Sequence, residues 1–414
     1  MVDAGSDRSS PRPDPVEPGH AAVVLRGASL LDPRSGSTVP TTLAWAGARL
    51  VARDAAAESL PHTREPIDIP DDALIVPGLI DLHTHVFAGV GDGVDADAFC
   101  LDRGSTTVAD GGTAGAATFA AFAAIAARYR TQVLAWLNLS SIGLVDTRVG
   151  ELVAGPYVDL ARAIETAREY PDLVIGFKAR LSTYAAGAGV HRILDPLLAA
   201  AAATGLPVMV HIGDTDERLA VIVGRLRPGD VVTHALTGRK HGILVGDRLD
   251  PAILEAQKRG VIFDAARGSN HLSFPVLETA AEAGFLPDTL STDMNVRTLG
   301  IPGFGPLTLG TYLLSVGVAL PEVIERMTVR PAAVLGLDIA RAFEGSADAA
   351  GDAAVGTDDD GAEVPDPGDV TVIRVIDGPF EITDVDGRTR PVGQRLEPWA
   401  TVRAGRFALA GTAE

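Results

Sequence analysis

The sequence predicts an α/β protein: a TIM (β/α)8 barrel carrying a small composite β-sandwich built from both chain ends. Three observations lead there. In the middle of the chain, short apolar runs alternate with alanine-rich helical stretches, the pattern of βα units around a parallel sheet. Eight such runs can be counted, the number a barrel requires. Both ends of the chain instead show brief β-type runs broken by Gly and Pro.

Residues 1–19 are rich in Pro, Asp, Ser and Gly, lack an apolar signal core, and read as a disordered tail. Residues 20–75 hold runs such as Val23-Val24-Leu25 and Leu43 to Val51. Residues 369–414 hold Val370-Thr371-Val372-Ile373, Phe380-Glu381-Ile382 and Ala400-Thr401-Val402. The two stretches are expected to pair into one sandwich, because chain ends often lie close together. The barrel is expected over 76–343. Its strands are read as Ala73–His85, Thr106–Asp110, Val133–Asn138, Leu173–Lys178, Pro207–His211, Asp230–His234, Val261–Asp264 and Thr289–Asp293. Helix-like stretches between them include Ala116–Tyr129, Asp159–Glu169, Ile193–Thr204 and Leu249–Arg259. Residues 344–368 are acidic, small and free of aromatics, and read as a flexible insertion.

Composition narrows the function. A net charge of −19 argues against nucleic acid or an anionic membrane as partner. No apolar run reaches the roughly 18–20 residues that span a bilayer. A cytoplasmic protein acting on a small molecule is the expectation, with homo-oligomer formation left open. The single cysteine, Cys100, rules out an internal disulfide. Only three lysines occur, Lys178, Lys240 and Lys258, which makes each worth inspecting.

The chemistry sits at the last polar residue of the strands. Strand one ends in His83-Thr84-His85, and residues two apart on a strand share a face. Strand four ends in Lys178, strand five in His211, strand six in His234 and strand eight in Asp293. In a barrel all six fall at the carboxyl mouth, where chemistry takes place. Imidazole and carboxylate are ligands of first-row divalent cations. A lone strand-end histidine is more often a hydrogen-bonded core residue, and a lone aspartate more often a helix cap. The joint pattern points instead to a metal centre. A lysine buried among apolar residues loses part of its preference for charge and can add carbon dioxide to become a carbamate. A Lys178 carbamate could bridge two cations, with His83 and His85 on one, His211 and His234 on the other, and Asp293 beside them as proton acceptor. His241 and His271 could line the mouth, and neither has ligand spacing. Arg180, Arg239, Arg267 and Arg297 are candidate carboxylate clamps, with Asn295 also at the mouth.

At these residues the chain resembles the amidohydrolase superfamily of metal-dependent hydrolases, and within it the amidohydrolase/deacetylase subgroup with its dihydroorotase-like relatives. The stretches that carry the resemblance are Pro77–His85, Cys100–Thr113, Ala135–Leu144, Gly176–Ser182, Met209–Thr215 and Arg227–Leu244, with Thr328 to Ala333 resembling a late T-x-x-P-A motif. The resemblance implies two divalent ions, zinc by habit, an N-carboxylated Lys178, and Asp293 as both ligand and catalytic residue. It departs after strand seven, where Arg267 stands in place of the histidine of a Gly-His-Gly element, and after strand eight, where Asp293-Met294-Asn295 replaces Asp-x-His. The activity implied is hydrolysis of an acyl amide or ester, deacetylase-like. A cyclic amidase of dihydroorotase or hydantoinase type is the alternative; dihydroorotases usually carry an arginine two residues beyond the second histidine, where this chain has Phe87. A catalytically silent scaffold relative is a third reading, and such relatives typically lose ligands that here are all present.

Overall fold

A computed structural model describes residues 23–337, 339 and 368–411. The expected N-terminal tail and nearly all of the acidic insertion lie outside the described residues. Seven parallel strands form one curled sheet. In chain order they are Leu79–Thr84, Ser105–Asp110, Gln132–Asn138, Val174–Arg180, Val208–His211, Val231–Thr233 and Ile262–Asp264. The eighth segment, from Thr289 to Met294, is not a regular strand. It joins strand seven by a single bridge at Asp264–Thr289 and strand one by another at Thr84–Met294. Backbone bonds complete the closure: Asp293 N donates to His83 O at 2.7 Å and His85 N to Met294 O at 2.8 Å. The sheet is therefore a closed barrel with one irregular stave.

The run expected as a single strand, Ala73–His85, is two. Ala73–Pro77 belongs to a second sheet and Leu79–Thr84 to the barrel. Gly78 sits at the junction, where its N–H donates to Asp369 O at 2.9 Å. An added Cβ there would lie 2.2 Å from Thr106 Oγ1, so the chain passes where only glycine fits. The second sheet is mixed and has eight strands, drawn from both chain ends as the sequence implies. Val370–Thr383 pairs with Ala73–Pro77 on one side and with Thr389–Arg403 on the other. Leu25, Leu43, Trp45, Ile75, Val372 and Val402 are buried together inside this composite sandwich.

Helices cover the barrel for reasons visible in their sequences. His191–Thr204 buries Ile193, Leu194, Leu197, Ala200 and Ala201, a stripe at helical spacing. It stops at Gly205, whose φ of 78° is a left-handed cap that a side chain would disfavour. Leu160–Glu169 starts at Asp159, whose side chain accepts from Arg162 N. Pro251–Lys258 starts at Asp250 with proline in its first turn. Inside the barrel, Ile80, Leu82, Trp136, Met209 and Val231 cluster with Ala332 and Leu335 of the helix Val329–Leu335. Residues from opposite staves can meet only in the interior, so this cluster is a packed floor.

That floor is tight at strand four. A Cβ on Gly176 would lie 2.4 Å from Trp136 Cζ3 and 2.6 Å from Pro207 O. Gly176→Ala should therefore cost about 1–3 kcal/mol of stability. Urea unfolding checks it, and an unchanged midpoint would contradict the packing account.

Candidate active site

The carboxyl ends of the staves converge on one cavity. His83, His85, Lys178, Arg180, His211, His234, Asp293 and Asn295 all line it. Two groups of ligand-type atoms stand there: His83, His85 and Asp293 in one, His211, His234 and His271 in the other. Within the first, His85 Nε2 is 3.1 Å and His83 Nε2 3.7 Å from Asp293 Oδ1.

The histidines are aimed by their second nitrogens. His83 Nδ1 meets Thr233 Oγ1 at 2.8 Å, and that hydroxyl donates onward to Asp264 Oδ2 at 2.8 Å. Because the Thr233 proton goes to Asp264, its oxygen accepts from His83 Nδ1–H, and the lone pair of His83 lies on Nε2. His234 Nδ1 can only donate to Ala266 O, at 2.8 Å, which leaves its Nε2 free in the same way. His85 Nδ1 pairs with Thr113 Oγ1 at 2.8 Å. Such outer contacts orient ligating imidazoles. Burial holds the ring pKa of His83, His211 and His234 well below the usual range, so all three are neutral, the form that binds a cation.

Lys178 is buried, with Nζ 3.0 Å from His83 Nε2 and 3.3 Å from Met209 Sδ. Desolvation pushes its pKa down to about 7, so a neutral amine is accessible near neutral pH. Burial acts against ionisation of Asp293. The hydrogen bond from His85 opposes it, and the carboxyl is held well below the usual range. Asp293 is thus a carboxylate.

These residues fit divalent cations. Two imidazoles bound tetrahedrally to one ion place their ring centres about 5 Å apart. The rings of His83 and His85 are 5.4 Å apart at 70°. His211 Nε2 is a buried polar atom with no hydrogen-bond partner among the described residues, an orphan of the kind that an ion or water satisfies.

The candidate clamps divide. Arg180 lines the cavity, but Glu151 takes its Nε at 2.7 Å and its Nη2 at 2.5 Å. Asn295 Nδ2 donates to Asp293 O at 2.7 Å, fixing the chain just after the carboxylate. Arg297 reaches the rim, paired to Asp92 at 2.8 Å. Arg239 is half-exposed beside Asp214 and is not among the lining residues. Arg267 is not among them either: its guanidinium lies 5.3 Å from the ring centre of Phe304 and 5.8 Å from that of Tyr312. The sequence placed it at the mouth because it follows a stave. The turn after strand seven directs it away, since its long apolar stem is better packed against rings than left in the cavity. His271, which the sequence suggests could line the mouth, does line it. It enters through that same turn, and burial takes its pKa down to about 4. One group of residues carried no readable signal: Thr113, Thr233 and Asp264 act only through the histidines.

Known proteins with the same character are readily found. The chain is 30% identical to a deacetylase of Agrobacterium fabrum over 382 residues, 91% of this chain and 87% of that one. It is 30% identical to a deacetylase of Brucella anthropi over 343 residues, 82% and 79% of the two chains. Among solved structures, one described as a dihydroorotase superposes with a TM-score of 0.81 at 29% identity, covering 94% of this chain and 98% of that one. Another, described as an adenine deaminase, gives 0.80 at 26% identity, covering 94% and 100%. No family model matches the chain.

The Thr233 relay makes a prediction independent of activity. Thr233→Val keeps the shape and removes the hydroxyl between His83 and Asp264. Affinity for divalent cations should fall about 10–100-fold, read by competition with a chromophoric chelator. Unchanged affinity would remove the relay from the account of how His83 is aimed.

Proposed function

The chain belongs to the amidohydrolase superfamily as a metal-dependent hydrolase, and on that premise we propose that it removes acyl groups from small amides or esters at a binuclear zinc centre. The observation that carries the reading is the pair of ligand clusters opening on one cavity with Lys178 beside them. His83 and His85 would hold one ion together with Asp293. His211 and His234 would hold the other. Lys178 Nζ would add carbon dioxide, forming an N–C bond and releasing a proton, to give a carbamate shared between them. When bound, the cations supply Lewis acidity toward the acyl oxygen and acidify water in the cavity.

The chain's own residues do the rest. Asp293 is ionised and has its Oδ1 within 3.1 Å of His85 Nε2, so it is oriented to take a proton from attacking water. It returns that proton to the departing amine or alkoxide, and a carboxylic acid is released. Arg180 and Asn295 stand at the wall where the substrate's other half would rest. The description of two relatives as deacetylases supports an acyl substrate for this chain. The likeness to a dihydroorotase keeps a cyclic amide as second reading. Phe87 weighs against it, being buried against Phe122 at 5.5 Å where a substrate-binding arginine would be needed.

A panel of N-acyl amino acids, O-acyl hydroxy acids, lactones and cyclic imides tests the reading on the cation-loaded protein. Linear acyl compounds should be cleaved best, and turnover of cyclic imides alone would overturn it. On the best substrate, Asp293→Asn should lose about 10²–10⁴-fold in kcat while the second cluster keeps its cation. Wild-type turnover in that variant would end the proton-transfer role. Lys178→Ala should lose activity and regain part of it with added acetate or propionate. Full activity without such additives would exclude the carbamate.

A further inference from the structure

We propose that His271 is a further catalytic residue, whose Nε2–H donates a hydrogen bond to the substrate's acyl oxygen as that oxygen gains charge. The inference rests on the acyl-hydrolase reading above and assigns a role to a residue which that reading leaves idle.

His271 lines the cavity with the ligand-type residues. Its ring stacks on His234 at 3.9 Å and 24°, and stands edge-on to His211 at 5.0 Å and 87°. It lies within ligand reach of both, yet the stacking argues against coordination. Nearly parallel rings at 3.9 Å point their in-plane lone pairs side by side, so His234 and His271 do not both converge on one ion. His211 stands edge-on to each, at 4.3 Å and 73° from His234 and at 5.0 Å and 87° from His271. The protons separate them: His234 donates through Nδ1 and keeps a lone pair on Nε2, whereas Nε2 of His271 carries the ring proton, which leaves it a donor beside the coordination shell.

Its tautomer follows from Thr237. This hydroxyl is buried; it accepts from Arg239 N at 3.2 Å and meets His271 Nδ1 at 3.2 Å. A buried hydroxyl proton needs an acceptor. Among the described residues Nδ1 is the acceptor recorded for it, so Thr237 O–H donates to Nδ1. The ring's own proton is then on Nε2, the nitrogen remaining for the cavity.

The loop is held so that this donor is fixed in advance. His271 N donates to Arg267 O at 2.9 Å, closing a turn that sends the Arg267 side chain away and brings the imidazole in. Ser273 N donates to Leu236 O at 3.0 Å, and Phe274 N to Asp384 Oδ2 at 3.0 Å. A donor already oriented toward developing charge needs no reorganisation during the reaction.

The test uses the full, cation-loaded chain. In protein labelled with 15N-histidine, the ring signals lost in His271→Gln belong to His271; they should show a protonated Nε2 and a bare Nδ1. Methylphosphonate serves as a tetrahedral oxyanion probe. His271→Phe keeps a ring on His234 without a donor, and should bind the probe about 10–100-fold more weakly. Cation content and the visible spectrum of the cobalt-substituted protein should not change. On the best acyl substrate kcat should fall about 10²–10³-fold with KM little altered, and His271→Gln, which keeps an N–H, should recover part. A proton on Nδ1, unchanged methylphosphonate binding in His271→Phe, or loss of a cation in both variants overturns the assignment. A wild-type chain that cleaves no acyl compound refutes the functional reading instead, while the tautomer and methylphosphonate results still judge His271.

Discussion

Asp264 is the interaction on which the site depends. Its carboxyl is fully buried at the end of stave seven, and burial pushes its pKa upward. Removing a carboxylate from water costs several kcal/mol unless its oxygens are satisfied. Three hydroxyls do so here: Thr289 at 2.8 Å and Ser291 at 2.7 Å on one oxygen, Thr233 at 2.8 Å on the other. Those hydroxyls come from stave six and from the irregular eighth segment, and Thr233 passes the contact on to His83 of stave one. One side chain therefore fastens the weakest part of the barrel wall and sets the direction of a candidate ligand. Asp81 supports it from the other side, accepting from Thr292 N at 3.0 Å and Thr292 Oγ1 at 2.5 Å.

The wall around this centre has little slack. A Cβ on Gly111 would lie 2.2 Å from His83 Cδ2, one on Gly112 2.9 Å from Lys178 Cβ, and one on Gly268 2.2 Å from Asp293 Oδ2. Glycine lets the backbone touch the ligand side chains directly and so fixes their position by contact. The opposite economy appears at His234 and Asp293. Both have left-handed backbones, with φ of 70° and 54°, which side-chain-bearing residues adopt at a cost. Each lies where a stave ends and a loop turns away. The strain is tolerated because that backbone aims the imidazole or carboxylate at the cavity instead of along the sheet.

Much of this was legible in the residues. The six strand-end groups needed only period-two and βα patterning to be put on one face, since a barrel mouth gathers whatever ends its staves. Both β-rich chain ends likewise announced a sheet of their own. Three features were not legible, each for a physical reason. The split at Gly78 is invisible because a strand leaving one sheet for another keeps its apolar run unbroken. The eighth stave is bridged rather than laddered because polar side-chain contacts, from Asp81 and Asp264, do part of the pairing. The exchange of Arg267 for His271 depends on a turn closed by a backbone bond, and spacing along the chain cannot report which of two residues in a turn faces inward.

The sheet built from the chain ends is more than an appendage to the barrel. Its strand Val370–Thr383 begins beside Ala73–Pro77, the segment that leads through Gly78 into His83 and His85. The same strand ends at a hairpin tip on the far loop. There Val385 N donates to Leu272 O at 3.1 Å, and the Asp384 carboxylate caps the helix Phe274–Glu282 by accepting from Phe274 N. Tyr312 OH donates to Thr383 O at 2.8 Å, and Arg390 pairs with Glu278 at 2.6 Å, closing the contact from both sides. One continuous strand thus braces the entry to the first ligand cluster and the loop that delivers His271 to the second. The barrel holds that loop at Leu236 and Thr292, and the hairpin adds a second anchor at Leu272 and Phe274. Tied to the hairpin, its geometry is referred back to stave one, so the two halves of the centre are set against a common frame.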